Sequence, residues 1–155
     1  MKIEKWKEKV SAMFDGASMY DSENLRYAND KDGAYFSVNA FQAFVLPGME
    51  ILGLKPDEDK KAPVLPELFR SAIETGNLAS ETRGTANGKK ARRFSCGDVN
   101  VYCYEKLLRI FPKNALFYVS SPVKPILVGL WDNDRLYTIA VVMPFRCAEG
   151  AFAAN

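Results

Sequence analysis

Ile3, Trp6, Val10 and Met13, with Lys and Glu between them, recur at helical spacing and predict an amphipathic helix over residues 2–14, ended by Asp15-Gly16. Residues 17–33 are polar and turn-rich, with Leu25, Arg26 and Tyr27 as a short strand before an Asn29-to-Gly33 turn. Ala34 to Val38 reads as a short β run. Asn39 then offers an N-cap for a helix over residues 40–52, which Pro47 should kink or split. Residues 55–66 form a charged, proline-punctuated connector, and a short helix is predicted from Glu67 to Thr75, ended by Gly76-Asn77.

Beyond this point the pattern turns mostly to strands. Thr82 to Ala86 and Lys89 to Cys96 flank Asn87-Gly88, the strongest short-range hairpin signal in the chain. A strand at Val99, a helix over 101–111 capped by Asn100, and strands near 116–120, 126–131 and 136–143 follow, with Asn133-Asp134 as the last hairpin turn. The tail CAEGAFAAN has no period and is expected to fray. One internal echo supports two related units: Phe36 to Phe41 recurs loosely as Gly97 to Tyr102, 61 positions later.

Composition narrows the class. A chain of 155 residues, 48% hydrophobic and 26% charged, fits one globular domain able to bury a core without staples. Its longest apolar runs, such as Ile139 to Pro144, fall well short of the roughly 20 residues that span a bilayer. Met1 to Val10 lacks the apolar centre of a signal peptide. Three cysteines without paired spacing suit a reducing compartment, so a cytoplasmic location is expected. The net charge of +2 conceals an imbalance: residues 1–82 hold 10 basic and 14 acidic side chains, residues 83–113 hold 8 and 2.

Catalytic chemistry has no anchor. The chain contains no histidine, which removes the usual general base, the commonest transition-metal ligand and any Ser-His or Cys-His pair. Cys96, Cys103 and Cys147 lack metal-site spacing, and Cys103 reads as a small buried thiol. Asp57, Glu58 and Asp59 read as a solvated linker rather than a cation site. Gly84 to Lys90 is no phosphate loop, because its glycines stand too close and lysine follows where Ser or Thr is needed. No catalytic residue, metal ligand or cofactor is assigned.

Binding has better candidates. Lys89, Lys90, Arg92 and Arg93 lie on one predicted strand with side chains on both faces, which suggests an edge strand or contacts to a phosphate backbone. Lys106 and Arg109, three apart on the second predicted helix, share a face.

The stretch from Asp98 to Arg146 combines an Asn-started helix, a Ser-Ser-Pro-Val-Lys-Pro turn and a closing Val-Val-Met-Pro-Phe-Arg. It resembles the final half-domain of the bacterial DNA polymerase sliding clamp, the β-subunit processivity factor. The resemblance implies an α+β fold: a single clamp-like domain over 1–155, with two strand-helix-strands units, antiparallel sheet and an N-terminal helix. Its parts would be the N-terminal helix and turns (1–33), the start of the first unit (34–54), an insertion (55–80), the hairpin and second unit (81–146) and the tail (147–155).

It implies a non-enzymatic role in DNA replication or repair, or beside mobile-element proteins, with a protein or linear peptide as partner. That partner would enter an apolar cleft formed by Val123, Pro125, Val141, Met143, Pro144, Phe145 and Arg146. DNA is the alternative partner, through Lys89, Lys90, Arg92, Arg93, Lys106 and Arg109. One domain would close a ring only as a homo-oligomer or with a partner, and the first predicted helix carries no Lys or Arg to line one.

Overall fold

The computed structural model describes residues 1–20, 25–30, 33–47 and 64–155. It is an α+β chain of antiparallel sheets. Helix α1 (Ile3–Tyr20) leads into strands β1 (Arg26–Asp30), β2 (Gly33–Ser37) and β3 (Gln42–Pro47), and then helix α2 (Val64–Thr75). Strands β4 (Asn77–Leu78), β5 (Ser80–Ala86), β6 (Lys89–Cys96) and β7 (Val99–Tyr104) follow. A four-residue helix α3 (Glu105–Leu108) precedes β8 (Ala115–Val119), β9 (Ile126–Asp132), β10 (Arg135–Val142) and β11 (Phe152–Ala154).

Two sheets result. The larger runs β1-β2-β3-β10-β9-β8-β4 and the smaller β11-β5-β6-β7. Because β10 sits between β3 and β9, the two ends of the chain share the large sheet. Alternation of side chains along each strand sends Phe36, Phe44, Val128 and Val142 to one face and Tyr35, Val45, Leu127 and Val141 to the other. The first set packs with Trp6 and Val10 of α1 and with Phe94 and Val101 of the small sheet. The second packs under Leu65, Phe69 and Ala72 of α2. Trp6 is fully buried, with its ring 5.7 Å from Phe111 and 6.4 Å from Phe44. Phe94 of β6 stacks 4.6 Å from Phe117 of β8 and joins the sheets.

Four expectations change. The first helix runs on through Gly16 to Tyr20, since one glycine costs only about 1 kcal/mol and does not end a helix whose apolar face is buried. The helix expected over 40–52 is strand β3 from Gln42 to Pro47, and residues 48–52 lie outside the described residues. Asn39 does offer its side-chain oxygen, but to the backbone N–H groups of Phe41 and Gln42 (2.8 and 2.9 Å), which closes the tight β2–β3 turn. The helix expected over 101–111 is the end of β7 followed by the single turn of α3. In VNVYCY the strand period wins: Val101 and Cys103 face the core, while Tyr102 and Tyr104 alternate outward. The tail carries a strand, because β11 pairs with β5 from Phe152↔Ala86 to Ala154↔Gly84.

The two helices expected on one side of the sheet therefore have no counterpart at those positions, and α1 and α2 lie on opposite faces of the large sheet. The echo at Asn39 and Asn100 dissolves with them. Asn100 lies inside β7, where its side chain accepts a 2.7 Å bond from Ser95. Of the charged connector, residues 55–63 lie outside the described residues, and the rest opens α2. The helix from Glu67 to Thr75, the Asn87-Gly88 and Asn133-Asp134 turns and the last three long strands are as expected. Among the described residues, no helix is long and apolar enough to cross a membrane.

Candidate functional site

The small sheet gathers what the sequence only placed in series. Asn87 and Gly88 take positive φ (53° and 73°), the conformation that a two-residue hairpin needs, and so bring β5 against β6. Pairing of Ala91 with Tyr104 and Arg93 with Tyr102 then fixes which side chains share a face. Lys90 and Arg92 point toward α3 and the core side; Lys89 and Arg93 point to the outer face with Tyr102 and Tyr104. The expectation that basic side chains occupy both faces of this strand holds. Its expected edge position does not, since β6 lies between β5 and β7.

Arg92 differs from its neighbours. It is buried (7% exposed) and bonds Glu105 through Nε (3.2 Å) and Nη2, and Glu81 through Nη1 (2.7 Å). Burial works against its charge, but the bonds and fields of Glu105 and then Glu81 outweigh that and raise its pKa. It is a fixed strut, not a free contact. Among the described residues, the other seven cations between positions 83 and 113 have no carboxylate partner: Arg83, Lys89, Lys90, Arg93, Lys106, Arg109 and Lys113. The two glutamates nearest them are both held by Arg92.

Two clefts of about 390 and 350 Å³ open on the α3 side of the hairpin. Arg83, Arg109 and Glu105 line both; Lys90 completes the first, and Lys113 with Arg92 the second. On the opposite, outer face lies a chain of partly buried rings. Tyr104 stacks on Phe145 with centroids 3.9 Å apart and planes 11° from parallel. Tyr102 lies 6.1 Å from Phe145 and 5.4 Å from Phe152 of β11. Lys89 Nζ sits 5.1 Å and Lys106 Nζ 6.0 Å from the Tyr104 ring, and the Arg93 guanidinium 5.2 Å from that of Phe152.

The residues expected to form one apolar cleft divide between different places. Val141 and Met143 line a groove of about 200 Å³ with Phe41 and with Leu65 and Leu68 of α2. Pro125 stands directly before β9, one step past the Val142↔Ile126 pair and so beside Met143 in the ladder. Val123 projects from the β8–β9 loop, 52% exposed. Pro144 carries the chain between the sheets, and Phe145 crosses to the small sheet, where its N–H donates to Tyr102 O at 2.9 Å. Arg146 is exposed and lines no groove with these residues. A single cleft of all seven is therefore not assembled, because the residue after Pro144 pairs with β7 and pulls the ending away from β10.

Cys103 is wholly buried, and burial, opposed by the Arg92 charge, pushes its thiol up to about 12, leaving it protonated at neutral pH. Among the described residues, no cluster of three His, Cys, Asp or Glu is placed to hold a metal ion. No family model matches the chain, and no curated protein or solved structure is similar to it.

The sequence reading missed Arg83, Lys113, Tyr102, Tyr104 and Phe152 as surface candidates. The outward alternation of Tyr102 and Tyr104 was present in VNVYCY, but was overruled there by the Asn100 cap. For Phe152 the sequence holds no signal, since its neighbours come from the β5 edge.

Proposed function

We propose that this protein is a non-enzymatic binding module whose principal ligand is nucleic acid, held on the small sheet. The observation that carries this reading is charge left unneutralised on both faces of one hairpin. Seven cations on β5, β6, α3 and the turn after it lack a carboxylate partner among the described residues, and five of the six residues suggested by the sequence (Lys89, Lys90, Arg93, Lys106 and Arg109) are among them. A protein surface normally intersperses both signs; a one-sign cluster costs self-repulsion unless a polyanion meets it. Phosphate contacts of this kind release counterions, so affinity falls steeply with salt.

Retention of a labelled oligonucleotide at rising salt tests the proposal. The log–log slope should approach about −5 if all seven cations meet phosphates of a single strand, and Lys90→Glu with Arg109→Glu should flatten it by about 1.4. Indifference to DNA at low salt would remove the reading.

A second reading rests on the groove between β3, β10 and α2. At about 200 Å³ it is smaller than the roughly 300–1,000 Å³ of a small-molecule site, and suits one or two apolar side chains of a linear peptide. Met143 gives it an adaptable floor and Phe41, 56% exposed, a rim. The carboxy-terminal likeness to a clamp unit is kept only here, as the Met143–Pro144 ending beside Pro125, and does not extend to a ring-lining pair of helices. Clamp-binding peptides are the probe: Met143→Ala should weaken them about tenfold, roughly the worth of one anchoring side chain. Absence of binding to the unaltered protein would set this reading aside.

A further inference from the structure

We infer that the outer face of the small sheet takes single-stranded nucleic acid, with unpaired bases stacking on the Tyr104–Phe145 pair. The inference rests on the nucleic-acid reading above and sharpens it, because charge alone does not distinguish a duplex from a single strand. Rings do. Bases in a duplex already stack on one another, whereas a splayed strand presents free π-faces that aromatic side chains can take up.

Tyr102, Tyr104, Phe145 and Phe152 belong to neither hydrophobic core, and each is partly buried with an edge or face open. They form a continuous run in which successive centroids lie 3.9, 6.1 and 5.4 Å apart. On their inner side these rings roof Ala86 and Ala91 of the small sheet, and their outer side is left to solvent. Beside them stand Lys89, Arg93 and Lys106, each within 6.0 Å of a ring and none with a carboxylate partner among the described residues. A nucleotide joins a flat apolar ring to a phosphate, and this face offers a partner for each part.

The competing account is that cations and rings simply satisfy one another. An exposed cation–π contact contributes about 0.5–1 kcal/mol, whereas base stacking on an aromatic side chain is worth about 1–3 kcal/mol per base. A stacked base with its phosphate on the displaced lysine therefore prevails over the lysine alone. The clefts on the α3 side, with Arg83, Lys90 and Arg109, would follow the strand's backbone around the hairpin end.

Fluorescence anisotropy on the full chain decides the matter, using labelled oligothymidylate and a hairpin duplex of equal length. Single strand should bind about tenfold tighter; Tyr104→Ala should abolish that preference while leaving duplex affinity within about twofold, and Tyr104→Phe should retain it. If Tyr104→Ala does not fold, as judged by circular dichroism, Phe145→Leu replaces it with the same expectation. Equal affinity for both forms, or a folded Tyr104→Ala that keeps its preference, overturns this inference and leaves phosphate binding standing. Failure to bind either form overturns both.

Discussion

The large sheet is covered on both faces over β2, β3 and β10, by α1 with the small sheet on one side and by α2 on the other; the small sheet covers one face and leaves the second to partly buried rings and to cations. The difference shows in the strands themselves. β2 is buried at every position and β9 from Ile126 to Leu130, whereas β5 buries only Gly84 and Ala86 and β6 only Ala91, Arg92 and Phe94. A sheet that must bury both faces has no room for unpaired cations, since a buried charge without a partner is costly. The one-sided sheet has that room, and the cations occur there.

Substitution at one residue of each sheet sets the comparison on a common scale. Phe44→Ala in β3 removes a fully buried ring that touches Trp6, Phe36 and Phe111, and should cost about 3–5 kcal/mol by chemical denaturation. Arg92→Ala in β6 strips Glu105 and Glu81 of their partner. Its cost should be about 3 kcal/mol, at the low end for a buried ion pair because the Glu81 side chain is 40% exposed. A loss below about 1 kcal/mol would mean solvent screens the pair, and that Arg92 belongs with the other surface cations after all.

An effect confined to alkaline pH concerns Cys103, where the two sheets meet. Its thiol holds its proton to about pH 12 in the folded chain, while the unfolded chain releases it near the ordinary value of 9.0. The unfolded state thus binds fewer protons across that window, and stability falls as pH rises through it, by up to about 1.4 kcal/mol per pH unit. Below pH 9 the contribution is constant. Comparison of denaturation curves for Cys103→Ala and the parent chain should show a shallower alkaline decline in the variant; parallel declines would place the thiol in contact with water. Thiol reagents should correspondingly label the half-exposed Cys96 and Cys147 well before Cys103.

What the sequence disclosed follows the same division. Turns fixed by residue chemistry were legible: Asn87-Gly88 and Asn133-Asp134 adopt the positive φ that their types favour. So were β9 and β10, whose apolar runs admit no other burial. Asn39 and Asn100 misled because an asparagine side chain serves a turn or a strand as readily as a helix cap, and only the neighbours decide. AFQAFVLP has no period of its own; β2 and β10 on either side of it make it a strand. The candidate site was legible as a charge imbalance between positions 83 and 113, but not as a surface. That required the knowledge that Glu81 and Glu105 both turn to Arg92.

Gly84 gives the carboxy-terminal strand its seat. A Cβ built there would stand 2.2 Å from the carbonyl oxygen of Ala153 and 2.6 Å from the Phe152 ring. Even an alanine would lever the closing segment off β5, strip the ring run of its Phe152 terminus and bare a row of unpaired amides and carbonyls to any neighbouring molecule. One missing methyl group thus lets the last strand take the border of this sheet.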